Sequence, residues 1–224
     1  MSPLSFNIEE NLYDKPYIIA EIGVNHENSF DTAIKIIDLA KEGGADAVKF
    51  QSYKADTLAS KDSPAYWDIT KEPTLNQNKL FKKYDSFEAK DYLNLFLYCK
   101  KIGIDFLSTP FDLESVEYLS DIVPFFKIAS ADITNFELLS AVAKKNKPIL
   151  LSTGASNIDE ISQAIQLLKK NNCTEIGLMH CILNYPTQNI NANLSMITSI
   201  KNHFPEYIVG YSDHTLPDDN MTSI

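Results

Sequence analysis

The sequence predicts an α/β protein built from repeated β/α units, an incomplete (β/α)8 TIM barrel with about seven units present. Three observations carry that expectation. Short apolar runs alternate with amphipathic helical windows along the chain. Each run is apolar on both faces, as in a parallel sheet covered by helices. Polar and special residues cluster just after the runs: Asn25-His26, Gln51-Ser52, Thr109-Pro110, Ser130, Thr153-Gly154, Asn184-Tyr185 and Asp213-His214. A barrel places its active site on that C-terminal rim, with contributions from many strands. A doubly wound sheet also repeats β/α units, but it wants a glycine-rich GxGxxG at one switch point, and none is present.

Taken in order, the expected strands are Tyr17–Ile22, Ala47–Phe50, Asp105–Ser108, Phe125–Ile128, Ile149–Ser152, Ile176–Cys181 and Ile208–Tyr211. The first helix, Ser29–Glu42, places Ala33, Ile36, Ile37 and Ala40 on one face, with Ser29 as its cap. The same periodicity predicts helices at Asp91–Lys101, Leu113–Ser120, Phe136–Lys145, Asn157–Lys170 and Leu194–His203, and the start of one at Pro217–Ile224. Gly43-Gly44 and Gly103 mark helix ends. Residues 1–16 read as a lead-in and 17–224 as the barrel portion. The stretch from about 53 to 88 is too long for a tight connection, and it reads as a lid, a binding loop or a solvated decoration.

At 224 residues the chain makes one large domain or two small ones. A net charge of −10 argues against nucleic-acid or anionic-membrane partners, which need a basic face. All 20 basic residues are lysines, so an anion must be held by lysine, hydroxyls and backbone N–H groups, without bidentate guanidinium. Cys99, Cys173 and Cys181 form no CxxC pair, which is reduced, intracellular usage. No apolar run nears the ~18 residues of a membrane span, and no secretory signal is visible. A cytoplasmic protein is expected.

Two lysines stand in apolar strands, Lys49 in Ala-Val-Lys-Phe-Gln and Lys127 in Phe-Phe-Lys-Ile-Ala-Ser. Burying a lysine is costly without an anionic partner. Two at comparable strand ends point to an anion site on which both converge, neutralised by Glu21 or a bound phosphate. Thr109, Ser130 and Ser152 end neighbouring strands and can donate to anion oxygens. Glu21, inside Ile-Ile-Ala-Glu-Ile-Gly, is an ion-pair partner or a general acid/base. Asp132 follows Ser130 by two and either faces the same way or caps the next helix. His214 is a metal ligand, a proton shuttle or a core histidine, and Asp213 would lie on the opposite side of the strand if it continues. His180 is expected to pack in the core.

These residues sit in seven ordered motifs: IIAEIGVNHENS, GADAVKFQS, FLSTPFD, FKIASADITN, KPILLSTGAS, MHCILNYPT and IVGYSDHT. Together they resemble the N-acetylneuraminate (sialic acid) synthase family. The resemblance implies condensation of phosphoenolpyruvate with an N-acyl hexosamine such as N-acetylmannosamine, with loss of phosphate. It implies that Lys49, Thr109, Lys127, Ser130 and Ser152 hold phosphoenolpyruvate. Glu21, Gln51 and Asp132 would face the reacting carbons, with Asp132 one methylene shorter than the glutamate common in the family. Asn184 and Tyr185 would line the pocket, although some members carry the asparagine at the position of Leu183. His214 would bind a divalent ion, manganese above all, with magnesium or cobalt as substitutes. The family's second metal histidine lies on an eighth strand, and its antifreeze-like domain reaches across a homodimer to supply an arginine. Measured against that pattern, the sequence is expected to be an N-terminal portion with an incomplete metal site, inactive alone. Another phosphoenolpyruvate-dependent aldol synthase and a non-catalytic binding paralogue are the alternatives.

Overall fold

Parallel pairing organises the chain in two sheets, each carrying its own helices. In a computed structural model, residues 16–216 are described, and they divide into two units, residues 16–124 and 125–216. The lead-in up to residue 15 and the helix start expected at Pro217–Ile224 lie outside the described residues.

The first unit contains β1 (Ile19–Gly23), α1 (Phe30–Glu42), β2 (Ala47–Ser52), α2 (Ala55–Leu58), α3 (Gln77–Lys82), α4 (Ala89–Ile102), β3 (Asp105–Pro110) and α5 (Leu113–Leu119). Its strands lie in the order β1-β2-β3. Ser29 caps α1 as expected, its hydroxyl accepting from Thr32 N at 3.2 Å. Ala33 and Ile37 carry the buried face of that helix. α4 begins at Ala89, two residues before the expected start, because Asp91 occupies the third turn position of a capping box whose cap is Glu88. Gly103 ends α4 in the left-handed conformation, φ 74°, which glycine adopts without steric cost.

The stretch between β2 and α4 is built rather than irregular. It contains α2, α3 and an antiparallel bridge from Pro64 to Asn76. The buried Asn78 amide donates to the carbonyls of Ala55 (3.0 Å) and Ala59 (3.1 Å), tying one short helix to the end of the other. Trp67 Nε1 donates to Glu72 O and Thr74 O, at 3.0 and 3.1 Å. These side-chain bonds supplement the backbone bonds of the bridge, Ala65 N to Leu75 O (3.1 Å) and Gln77 N to Ser63 O (2.9 Å).

The second unit contains β4 (Phe126–Ile128), α6 (Phe136–Ala143), β5 (Ile149–Ser152), α7 (Ile158–Lys170), β6 (Ile176–His180), α8 (Ser195–His203) and β7 (Ile208–Tyr211), with strand order β4-β5-β6-β7. The expected bounds of β5 and β7 match those observed. Asn157, read as the first helical residue, is instead the cap of α7, and Glu160 completes its capping box. The reading of every strand as buried on both faces needs correction. β4 and β5 are buried throughout, whereas β7, a terminal strand, is only part-buried along its length. Cys99, Cys173 and Cys181 are buried thiols, outside any disulfide. Among the described residues no helix is long and apolar enough to cross a membrane.

Candidate active site

In the first unit, strand register determines which polar side chains meet. Glu21 on β1 pairs directly with Lys49 on β2, and Lys49 with Leu107 on β3. Side chains two residues apart on a strand share a face, so Thr109 lies on the Lys49 face, one diagonal step along β3. The contacts follow this geometry. Lys49 Nζ forms an ion pair with Glu21 Oε2 and donates to Thr109 Oγ1 at 3.4 Å. The lysine side chain is 11% exposed and the glutamate side chain 50%, so the carboxylate stands at the wet end of the pair. Gln51 shares the Lys49 face and pairs with Thr109. Gly23 closes the group. Its φ is +54°, and a Cβ there would sit 3.4 Å from Glu21 Oε1 and 3.8 Å from Gln51 Nε2. Ammonium, carboxylate, amide and hydroxyl are thus gathered at the C-terminal ends of three strands.

His26, in the turn after β1, is buried at 1% exposure. Its ring stacks on Phe87 with centroids 4.2 Å apart. Asn28 N donates to its Nδ1 at 3.2 Å. Burial lowers its pKa to about 4, so the ring is neutral near pH 7.

The second unit repeats the diagonal. Lys127 on β4 pairs with Leu150 on β5, and its Nζ donates to Ser152 Oγ, two residues further on, at 2.6 Å. Nζ also donates to Ile128 O at 3.0 Å. Lys127 is 7% exposed. Ser130 is buried in a 3₁₀ turn, Ser130–Asp132, that follows β4. Asp132 does not cap α6: Asn135 does, its Oδ1 accepting from Leu138 N at 3.2 Å. Burial raises the Asp132 pKa, opposed by a hydrogen bond from Asn135 Nδ2 at 3.2 Å. A carboxyl pushed upward in this way is suited to carrying a proton.

Beyond β7 the chain turns. The strand ends at Tyr211, so Asp213 does not flank His214 on a continuing strand. Its Oδ1 instead accepts from Tyr211 Oη (3.0 Å) and Thr215 N (2.9 Å). The His214 ring lies 4.2 Å from that of Tyr185, and its Nδ1 is 2.5 Å from Ile182 O. A hydrogen on Nδ1 directed at a carbonyl puts the ring lone pair on Nε2, the arrangement a metal-binding histidine uses. Thr187 N donates to His214 O at 2.7 Å, while the Thr187 hydroxyl donates to Asn184 O at 2.7 Å. Asn184 and Tyr185 are exposed. His180 packs as expected, buried, with Nε2 2.8 Å from Ala192 O. Among the described residues no three His, Cys, Asp or Glu side chains are grouped to hold a metal ion.

Sequence reasoning missed Gly23 and Thr187. The signal for Gly23 was its place between Glu21 and the polar pair Asn25-His26. Thr187 offered none, because its role arises from an isolated bridge to Thr215.

The fold and these side chains define a parallel β/α protein whose strand ends carry lysines, carboxylates and hydroxyls. The chain belongs to the NeuB family, whose sequence profile matches residues 36–224. It is 45% identical over 201 residues to an uncharacterized protein of Methanocaldococcus jannaschii, covering 89% of this chain and 56% of that protein. It is 43% identical over 207 residues to the N,N'-diacetyllegionaminic acid synthase of Campylobacter jejuni, covering 90% and 61%. The crystal structure of an N-acetylneuraminic acid (sialic acid) synthetase from Leptospira borgpetersenii, in complex with citrate, superposes with a TM-score of 0.77 at 35% identity, covering 89% of this chain and 65% of that one. The chain thus spans little more than half the length of these two curated relatives.

Proposed function

We propose that the chain carries the phosphoenolpyruvate-handling part of a nonulosonic acid synthase. In that reaction C3 of phosphoenolpyruvate bonds to the aldehyde carbon of an N-acyl hexosamine. Water adds at C2, and phosphate leaves with its bridging oxygen. The observation that supports this reading best is the repeated lysine-to-hydroxyl diagonal, Lys49 to Thr109 and Lys127 to Ser152. An ammonium beside a hydroxyl at a strand end suits an anionic group, and phosphoenolpyruvate carries two, a phosphate and a carboxylate. Lys49, Thr109, Lys127, Ser130 and Ser152 are its proposed partners. Glu21 and Gln51 serve the reacting carbons, Asp132 moves a proton, and Asn184 and Tyr185 meet the sugar.

A divalent ion, Mn2+ in this proposal, would act as a Lewis acid on the sugar carbonyl. His214 suits one ligand position. A catalytic ion usually takes several protein ligands, and the described residues group no such set, so no step is assigned to the ion. The sugar is N-acetylmannosamine or a diacetylated relative, and the working protein is a cytoplasmic homodimer.

The test is phosphate release from phosphoenolpyruvate with each sugar in turn, beside calorimetry of phosphoenolpyruvate alone. Binding with sugar-dependent release establishes the reading. Binding without release fits a portion that is inactive alone as well as a binding paralogue, and no binding rejects both.

A further inference from the structure

The helix-facing side of β2 and β3 carries a feature that the site as described does not use. Apolar residues are expected where a sheet packs on helices, yet hydroxyls line this interface. Ser52 and Ser108 are both buried and share a hydrogen bond of 2.7 Å. Tyr92 of α4 stacks on Tyr118 of α5, with centroids 5.8 Å apart and 14° between the rings. Tyr118 Oη lies 3.1 Å from Ser115 Oγ. Buried polar groups are costly unless satisfied, and a satisfied network fixes geometry. One bond from this interface reaches the backbone behind the site. Tyr92, 4% exposed, donates its hydroxyl to the peptide carbonyl of Gln51 at 2.9 Å. Gln51 lies one residue beyond the last β1–β2 pair, Gly23 with Phe50. There the ladder from β1 has ended, and a side-chain donor takes over the carbonyl.

We propose that Tyr92 is a positioning residue: by holding the Gln51 carbonyl from behind the sheet, it sets the peptide plane that aims the Gln51 amide toward Glu21 and the substrate. Stacking on Tyr118, whose hydroxyl is paired with Ser115, keeps the Tyr92 ring in place. The functional half of this inference rests on the synthase reading; the structural half does not.

The experiment separates the two. In 15N-labelled protein, the Gln51 side-chain amide pair is identified by its loss in Gln51→Ala. Tyr92→Phe should displace that pair. Tyr118→Phe removes a hydroxyl from the same interface without touching the Gln51 carbonyl, and it should leave the pair in place. Thermal melts confirm that both variants fold. An unmoved Gln51 resonance in Tyr92→Phe, or equal displacement by both variants, overturns the proposal. In the phosphate-release assay, Tyr92→Phe should lower kcat about tenfold with KM for phosphoenolpyruvate little changed, the mark of lost orientation rather than lost binding. A raised KM at unchanged kcat overturns the positioning role. Wild-type protein that neither binds nor turns over phosphoenolpyruvate rejects the synthase reading, while the amide resonance still decides the contact.

Discussion

The two lysine sites are built on one geometry and finished differently. Each lysine reaches a hydroxyl two residues beyond its ladder partner on the next strand, Thr109 for Lys49 and Ser152 for Lys127. Lys49 also lies against the half-exposed Glu21 carboxylate, and Lys127, 7% exposed, donates to Ser152 Oγ and Ile128 O. The hydroxyl contact is 3.4 Å at Lys49, beside Glu21, and 2.6 Å at Lys127. A carboxylate competes for the ammonium and draws it from the neutral acceptor. Register thus delivers a lysine and a hydroxyl to one spot in each unit, and at Lys49 the neighbouring strand β1 adds a carboxylate.

The glycines near these strand ends sharpen the contrast. Gly154, just after Ser152, leaves no room: a Cβ there would lie 2.6 Å from Cys181 O and from Cys181 Sγ. Gly154→Ala should cost about 1–3 kcal/mol through overpacking, measured by chemical denaturation. Gly23 has space but a φ of +54°. Gly23→Ala should cost about 1 kcal/mol, from backbone conformation alone. Equal costs would mean that the two sites are not constrained in these different ways.

The first unit should also show an acid sensitivity. His26 has a folded pKa of about 4, below its unfolded value of ~6.5. Between these values the unfolded chain binds more protons, so stability falls as pH drops through that window. From pH 7 to 5.5 the loss should be about 1 kcal/mol, and it should disappear in His26→Phe. A wild-type denaturation midpoint that stays flat over that range would contradict the burial of a neutral imidazole. The smallest effect belongs to the Lys49–Glu21 pair. With Glu21 half-exposed, Glu21→Gln should change stability by less than ~1 kcal/mol in the same denaturation assay. A larger loss would make the pair structural.

Much of this was legible in the sequence, and the remainder depended on pairing. The strand bounds Ile149–Ser152 and Ile208–Tyr211, the Ser29 cap and the packed His180 follow from periodicity and local chemistry. The Lys49–Glu21 pair was visible only as one of two roles for Glu21, because register decides which neighbour a strand residue meets. Asp132 lost the cap of α6 to Asn135, three residues on, since both residue types cap helices and only backbone geometry separates them. Glu88 is an uncommon cap and hid the true start of α4. The turn of Asp213 back onto Tyr211 depends on where β7 stops, which polar residues alone do not fix.

Each diagonal is proposed to meet an anionic group, and calorimetric titration of phosphoenolpyruvate tests this most directly. Lys127→Ala should weaken binding by about 10–100-fold, the worth of a charge-assisted bond. Lys49→Ala should weaken it by about tenfold or less, because Glu21 already shares that ammonium. Wild-type affinity in Lys127→Ala, with the fold intact by circular dichroism, would contradict the account.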